Sequence, residues 1–254
     1  MYAKNIWKDM TSEKKAEVDT FAKEYIDFLS AAKTERLAVK ESVKLAEKYG
    51  FKPADSFKTV KAGDKLYFVN RNKNLFLYVI GEKPVSEGVR VLGAHIDSPR
   101  LDFKQNPLYE SNGFALCDTH YYGGVKKYQW VTIPLALHGV ICKKDGTTVD
   151  VNIGEDPSDP VVGISDLLPH LSQEQIKKTA DKVIEGEDLD VTVGSIPLSG
   201  EEKDAVKKNV LKILKEKYGM EEEDFLSAEI EVVPAGRARE YGLDRSMIAG
   251  YGHD

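Results

Sequence analysis

The feature that most constrains this chain is a change of hydrophobic period near residue 50. Before it, Val18, Phe21, Ala22, Tyr25, Phe28 and Leu29 recur at intervals of three and four, the stripe of an amphipathic helix starting near Ser12. Thr34 can accept a first-turn N–H and so cap a second helix, with Ala38, Val39, Val43 and Ala46 inward and Gly50 as its stop. After it, Lys65 to Val69 and Leu75 to Ile80 are short β-rich runs, and the polar stretch Asn70 to Asn74 between them predicts a hairpin. A third run, Val89 to Leu92, leads directly into Gly93-Ala94-His95-Ile96-Asp97-Ser98-Pro99. Helices followed by strands that need a covered face predict an α/β chain, a sheet with helices packed on it.

From about Phe103 the texture changes. Tyr109 to Gln129 is rich in Tyr, Gly and small polar residues, with a bend expected at Gly123-Gly124. Val131 to Ile141 and Thr148 to Ile153 read as strands separated by the turn Lys144-Asp145-Gly146, and Glu155 to Pro160 as an acidic loop. Ser172 with Gln175 has capping-box spacing for a short helix. Glu201 to Tyr218 is a clearer helix, with Val206, Val210, Ile213 and Leu214 on one face and Gly219 to end it. Strands resume at Ala228 to Val233 and near Arg245 to Ile248. The expected organisation is a core domain, residues 1–104 and 235–254, interrupted by an insert over 105–234.

Composition removes several classes of function. Lys and Arg total 36 against 42 for Asp and Glu, a net charge of −6, so no broad field attracts nucleic acid or anionic lipid. The longest apolar run, Leu75 to Ile80, is far short of the ~18 residues that span a bilayer. Met1 to Met10 carries Lys4, Lys8 and Asp9 and has no apolar signal core. Cys117 and Cys142 are too few for a disulfide scaffold and are not spaced as a metal knuckle. These features predict a cytoplasmic protein without membrane or nucleic-acid partners.

Two places could carry chemistry. His95 and Asp97 follow a predicted strand, where side chains reach a cleft outside a sheet, and alternation puts both on one side of an extended segment. A metal-bound imidazole commonly gives its second ring proton to such a carboxylate, which sets the tautomer. The second place is Asp254, in Ala249-Gly250-Tyr251-Gly252-His253-Asp254, where glycines permit a crowded backbone and one carboxylate can bridge two cations ~3.5–4 Å apart. His120, His138 and His170 read, from the residues alone, as structural hydrogen-bonding groups. There is no His-Glu-x-x-His, no phosphate loop and no Gly-x-Ser-x-Gly elbow.

The stretch from Gly93 through His95, Asp97 and Pro99 to Leu101 resembles the metal motif of the aminopeptidase I family, the aspartyl aminopeptidases. So do Thr119-His120-Tyr121-Tyr122-Gly123-Gly124-Val125-Lys126-Lys127-Tyr128-Gln129-Trp130, and Gly242 to Ile248 leading into Tyr251-Gly252-His253-Asp254. The resemblance implies a zinc-exopeptidase-like α/β/α sandwich carrying an inserted, mostly β dimerisation domain. It implies that His95 is a zinc ligand, that Asp97 is the acid orienting it, and that Asp254 bridges two zinc ions. His170 is similar in placement to a family histidine reaching from the insert into a neighbouring subunit's active site. Position 253 departs, since relatives often carry Gln before the bridging Asp. The chain reaches Asp254 about halfway through the family's length, before the Glu-Glu pair and the later Asp and His that the family pattern requires.

The implied activity is removal of the N-terminal residue of peptides, Asp or Glu in the aspartyl branch and neutral residues in other members, by a water that two Zn2+ ions activate. The implied assembly is a homo-oligomer of dimers built into a larger particle, for which Tyr121, Tyr122, Tyr128 and Trp130 are either interface or insert core. A different class of function also fits these residues: a non-catalytic oligomerisation or binding module.

Overall fold

The computed structural model describes residues 4–252. They form a mixed α/β chain of two compact units, one taking Met1–Ser98 and Arg237–Asp254, the other Pro99–Gly236. Among them no helix is long and apolar enough to cross a membrane.

In the first unit, α1 (Ser12–Ala31) begins where the Thr11 side chain accepts from Lys14 N at 3.3 Å. Helix α2 (Glu35–Lys48) begins in the same way, with Thr34 accepting from Leu37 N. Ala38, Val39 and Ala46 are buried as expected, and Gly50 follows α2 with φ of 84°. The α1 stripe is a correction. Only Leu29 of it is buried, while Phe21 and Tyr25 stay exposed and line, with Phe28, Leu45 and Tyr49, an open groove along α1 and α2. The periodicity is present, but no described residue covers that face.

Three strands follow: β1 (Lys52–Pro53), β2 (Lys65–Asn70) and β3 (Asn74–Val79), ordered β1-β2-β3. The predicted hairpin is β2–β3, turning through Arg71 and Asn72, both with positive φ, and closed by Lys73 N donating to Asn70 O at 3.0 Å. Val89–Leu92 forms no strand. A strand exists only with a ladder partner, and this run has none among the described residues, leaving Val91 and Leu92 exposed.

The second unit is one antiparallel sheet with the order β7-β6-β9-β4-β5-β8. Its strands are β4 (Arg100–Ser111), β5 (Phe114–Tyr122), β6 (Leu135–Cys142), β7 (Thr148–Ile153), β8 (Val191–Gly194) and β9 (Ala228–Pro234), with α3 (Ala205–Tyr218) preceding the last. This unit starts earlier than residue 105 and ends later than 234, because β4 already pairs with β9 at Leu101↔Val232 and Asp102↔Glu231. The change of texture at Phe103 therefore marks the middle of a strand and not the edge of a domain. Leu101, Leu135, Ile141, Val191, Val232 and Val233 are wholly or almost wholly buried and form its core. Gly139 lets β6 and β9 approach closely, since a Cβ there would lie 1.8 Å from Glu229 O.

Helix α3 starts at Ala205 instead of Glu201. Glu110 on β4 accepts from Val206 N at 2.9 Å and Lys207 N at 3.1 Å, so a carboxylate distant in sequence completes its first turn. The helix ends at Gly219, in the left-handed region at φ of 61°. The helix expected from Ser172 is only a short 3-10 turn, Gln175–Lys177. The chain then returns to the first unit as the hairpin β10 (Arg239–Tyr241) and β11 (Met247–Ala249).

Candidate metal centre

His95 lies in an irregular, solvent-exposed segment of the first unit, its side chain 58% accessible and that of Asp97 33%. The His95 Nδ1 atom is 3.1 Å from Asp97 Oδ1 and also 3.1 Å from Asp97 O. Both oxygens are acceptors, so Nδ1 carries a proton in this arrangement and the neutral ring presents Nε2 with its lone pair outward. That tautomer is the one a metal-ligating imidazole needs. The His-x-Asp pairing expected from alternation is therefore present, although no strand leads into it.

The donor set of this pair suits zinc: an imidazole nitrogen with a carboxylate behind it. It supplies one ligand. Among the described residues no group of three or more His, Cys, Asp or Glu side chains is placed to hold a metal ion. Asp254 and His253 lie outside the described residues. The glycines before them pack tightly within the first unit. A Cβ at Gly250 would lie 2.9 Å from Ala238 Cβ and 3.4 Å from Leu29 Cδ1, and Gly252 has φ of 86° beside Ala32 and Lys33.

His170 belongs to the second unit and is exposed, in a turn that Leu171 N closes on Leu168 O at 2.8 Å. Leu167, Leu168 and Leu171 around it are all exposed. His138 is structural: buried on β6, its Nε2 is 3.0 Å from Glu155 Oε1, and Glu155 Oε2 accepts from Gly236 N. The bend at Gly123 sits against Pro99, whose Cα would be 3.5 Å from a Cβ at that position. Trp130 is buried, so it belongs to the core of its unit, whereas Tyr121, Tyr122 and Tyr128 remain exposed.

Sequence reasoning missed two polar clusters in the second unit. Arg100, almost fully buried, donates from Nε to Asp102 Oδ1 at 2.8 Å, lies 3.7 Å from Glu231 Oε2 and stacks 4.2 Å from the Tyr122 ring. The signal available was a Glu inside the apolar run Ile230 to Val233, which demands a buried partner. The other cluster surrounds Asp190. Tyr109 donates its hydroxyl proton to Asp190 Oδ2, and Lys104 pairs with Asp118 at 2.8 Å and Glu187 at 3.4 Å.

The family model described as aminopeptidase I zinc metalloprotease (M18) matches residues 28–254. A probable M18 family aminopeptidase 1 from Clostridium acetobutylicum is 56% identical over 256 residues, covering 99% of this chain and 55% of that protein. The protein of the same description from Thermotoga maritima is 51% identical, covering 100% of this chain and 55% of its own length. The crystal structure of an M18 family aminopeptidase from Thermotoga maritima superposes with a TM-score of 0.93 at 50% identity, over 100% of this chain and 55% of that one. The chain thus spans about half the length of the curated relatives it matches. A likeness this close, running through both units, leaves one reading of ancestry: the chain belongs to the aminopeptidase I zinc metalloprotease family, M18.

Proposed function

We propose that this chain carries part of the machinery of a cytoplasmic metalloaminopeptidase that removes the N-terminal residue of peptides, acidic as in the aspartyl branch of the family or neutral as in its other members. The observation that carries the proposal is the His95 ring, held at Nδ1 by Asp97 with Nε2 left for a cation. In this reading His95 is a zinc ligand, Asp97 is its positioning residue, and Asp254 bridges two zinc ions. Bound zinc would supply Lewis acidity, lowering the pKa of a water and polarising the scissile carbonyl. The chain's own part is to fix the imidazole tautomer and to deliver the carboxylate of Asp254 on a segment that glycines allow to pack closely.

The second unit serves in this proposal as the dimerisation domain of a homo-oligomer assembled into a larger particle, with His170 entering a neighbouring subunit's site. Supporting it, Leu167, Leu168 and Leu171, which flank His170 in sequence, are exposed, as are Tyr121, Tyr122 and Tyr128. The test is metal analysis of the purified protein together with its rate on peptides bearing acidic or neutral N-terminal residues. His95→Ala is expected to lower zinc content and rate together. Unchanged zinc content in that variant overturns the ligand assignment, cleavage at internal bonds overturns the aminopeptidase reading, and the ratio of the rates on acidic and neutral N-terminal residues decides between the two branches.

A further inference from the structure

The C-terminal end of α1 receives the segment that leads to Asp254, and every contact between them lies within the first unit. At the start of that segment the Asp27 carboxylate pairs with Arg237 at 2.6 Å. The Ser30 hydroxyl donates to Ile26 O at 2.6 Å and accepts from Ala238 N at 3.1 Å, so both of its hydrogen-bonding roles are in use. Farther on, Gly250 lies against Leu29, and Gly252 against the Ala32 carbonyl and the Lys33 backbone. Leu29, Ala32, Lys33 and Ala238 are all buried. The Asp27–Arg237 pair is exposed and screened by solvent, which leaves the hold to the Ser30 hydrogen bond and the buried contacts.

The hairpin β10–β11 explains why residue 250 carries no side chain. Arg239 pairs with Ala249, so Ala238 and Gly250 lie opposite each other just beyond the ladder. A Cβ on Gly250 would stand 2.9 Å from Ala238 Cβ, closer than ordinary contact, and 3.4 Å from Leu29 Cδ1. A side chain there must therefore push the segment away from Ala238 and α1. Gly252, at φ of 86°, turns the chain along the end of the helix, 3.5 Å separating its missing Cβ from Ala32 O. Asp254 comes two residues later and lies outside the described residues. Two residues reach at most about 7 Å, so a shift at Gly252 is passed on to the carboxylate.

We propose that this seat on α1 sets the position of the Asp254 carboxylate, with Leu29, Ser30, Ala238 and Gly250 as positioning residues, a role that rests on the reading of Asp254 as the bridge between two zinc ions. A bridging carboxylate must satisfy two cations at once. Metal–ligand distances tolerate only about 0.2 Å, so a displacement of about 1 Å that a flexible single ligand could follow breaks the bridge. Residues some 220 positions before Asp254 in the sequence, in a helix that bears no metal motif, thereby govern how firmly zinc is held.

The test is a compensating pair of substitutions. Gly250→Ala adds the Cβ that collides with Ala238, and Ala238→Gly removes the atom that it meets. Zinc affinity is measured by competition with a fluorescent chelator, and the stability of the zinc-free protein by urea unfolding. Gly250→Ala is expected to weaken zinc binding about tenfold, and the double variant with Ala238→Gly to recover most of that loss. Ser30→Ala suits a helix and removes only the acceptor of Ala238 N, so it decides the matter if Gly250→Ala does not fold; its expected loss is about threefold. Lower zinc-free stability with unchanged zinc affinity in the folded single variants makes the seat merely structural and overturns the proposal. So does a loss in Gly250→Ala that Ala238→Gly leaves in place. Asp254→Asn separates this from the reading beneath it: unchanged zinc affinity there refutes the bridging assignment, whereas a loss there alone refutes the seat.

Discussion

Replacing Asp97 by Ala tests how the imidazole is held. The substitution removes the carboxylate 3.1 Å from His95 Nδ1 but leaves the backbone carbonyl of residue 97, which lies at the same distance. One of the two acceptors that select the tautomer survives. The side chains are also partly exposed, 58% and 33%, so solvent screens the charge that is lost. Removal of such an outer partner costs about 10- to 100-fold in metal affinity, and both features place Asp97→Ala near the lower bound. The expected loss of zinc affinity is ~10-fold, about 1.4 kcal/mol, with Asp97→Asn falling between it and the unmodified protein. Competition against a chromophoric chelator at fixed pH measures it, with His95→Ala as the reference for a lost ligand. An unchanged affinity in Asp97→Ala would show that the carboxylate does not orient the ring. A loss equal to that of His95→Ala would show that the backbone carbonyl contributes nothing.

Two further expectations concern the second unit. Gly139→Ala places a Cβ 1.8 Å from Glu229 O where ordinary contact begins at 3.4 Å, so β9 must retreat by ~1.6 Å. Losing ladder bonds and core packing there should cost about 3–5 kcal/mol in urea unfolding, and a change within about 0.5 kcal/mol contradicts the close approach. Cys117 is buried and its thiol is pushed up by that burial, whereas Cys142 is exposed. A thiol reagent at pH 8 should therefore label Cys142 alone until denaturant is added, and native labelling of both contradicts the burial of β5.

Local signals carried the parts of the fold that are themselves local. Thr34 caps α2, Gly50 follows it, and the polar turn between Lys65 and Ile80 makes the hairpin, because each depends on a few adjacent residues. Strands β4 and β5 were hidden by their polar content, although Asn112-Gly113, both at positive φ, is the turn that a tight hairpin requires. Val89–Leu92 shows the opposite failure: its composition suits a strand, but pairing decides whether one forms. The same distinction runs through the chemistry. His95 and Asp97 are two positions apart and were legible as a pair, whereas Arg100 with Glu231, and Tyr109 with Asp190, meet only through the order of strands in the sheet.

The pairing of β4 with β9 has an evolutionary consequence. Leu101 faces Val232 across one ladder, so the second unit is entered and left on adjacent antiparallel strands. A segment with its two ends side by side asks its host to bridge a gap of only ~5 Å, the spacing of neighbouring strands. Such a cassette can be acquired, exchanged or enlarged at its distant loops while the flanking chain keeps its own path. The lineage could thus remodel the surface presented by residues 105–230 without redesigning the segment that holds His95.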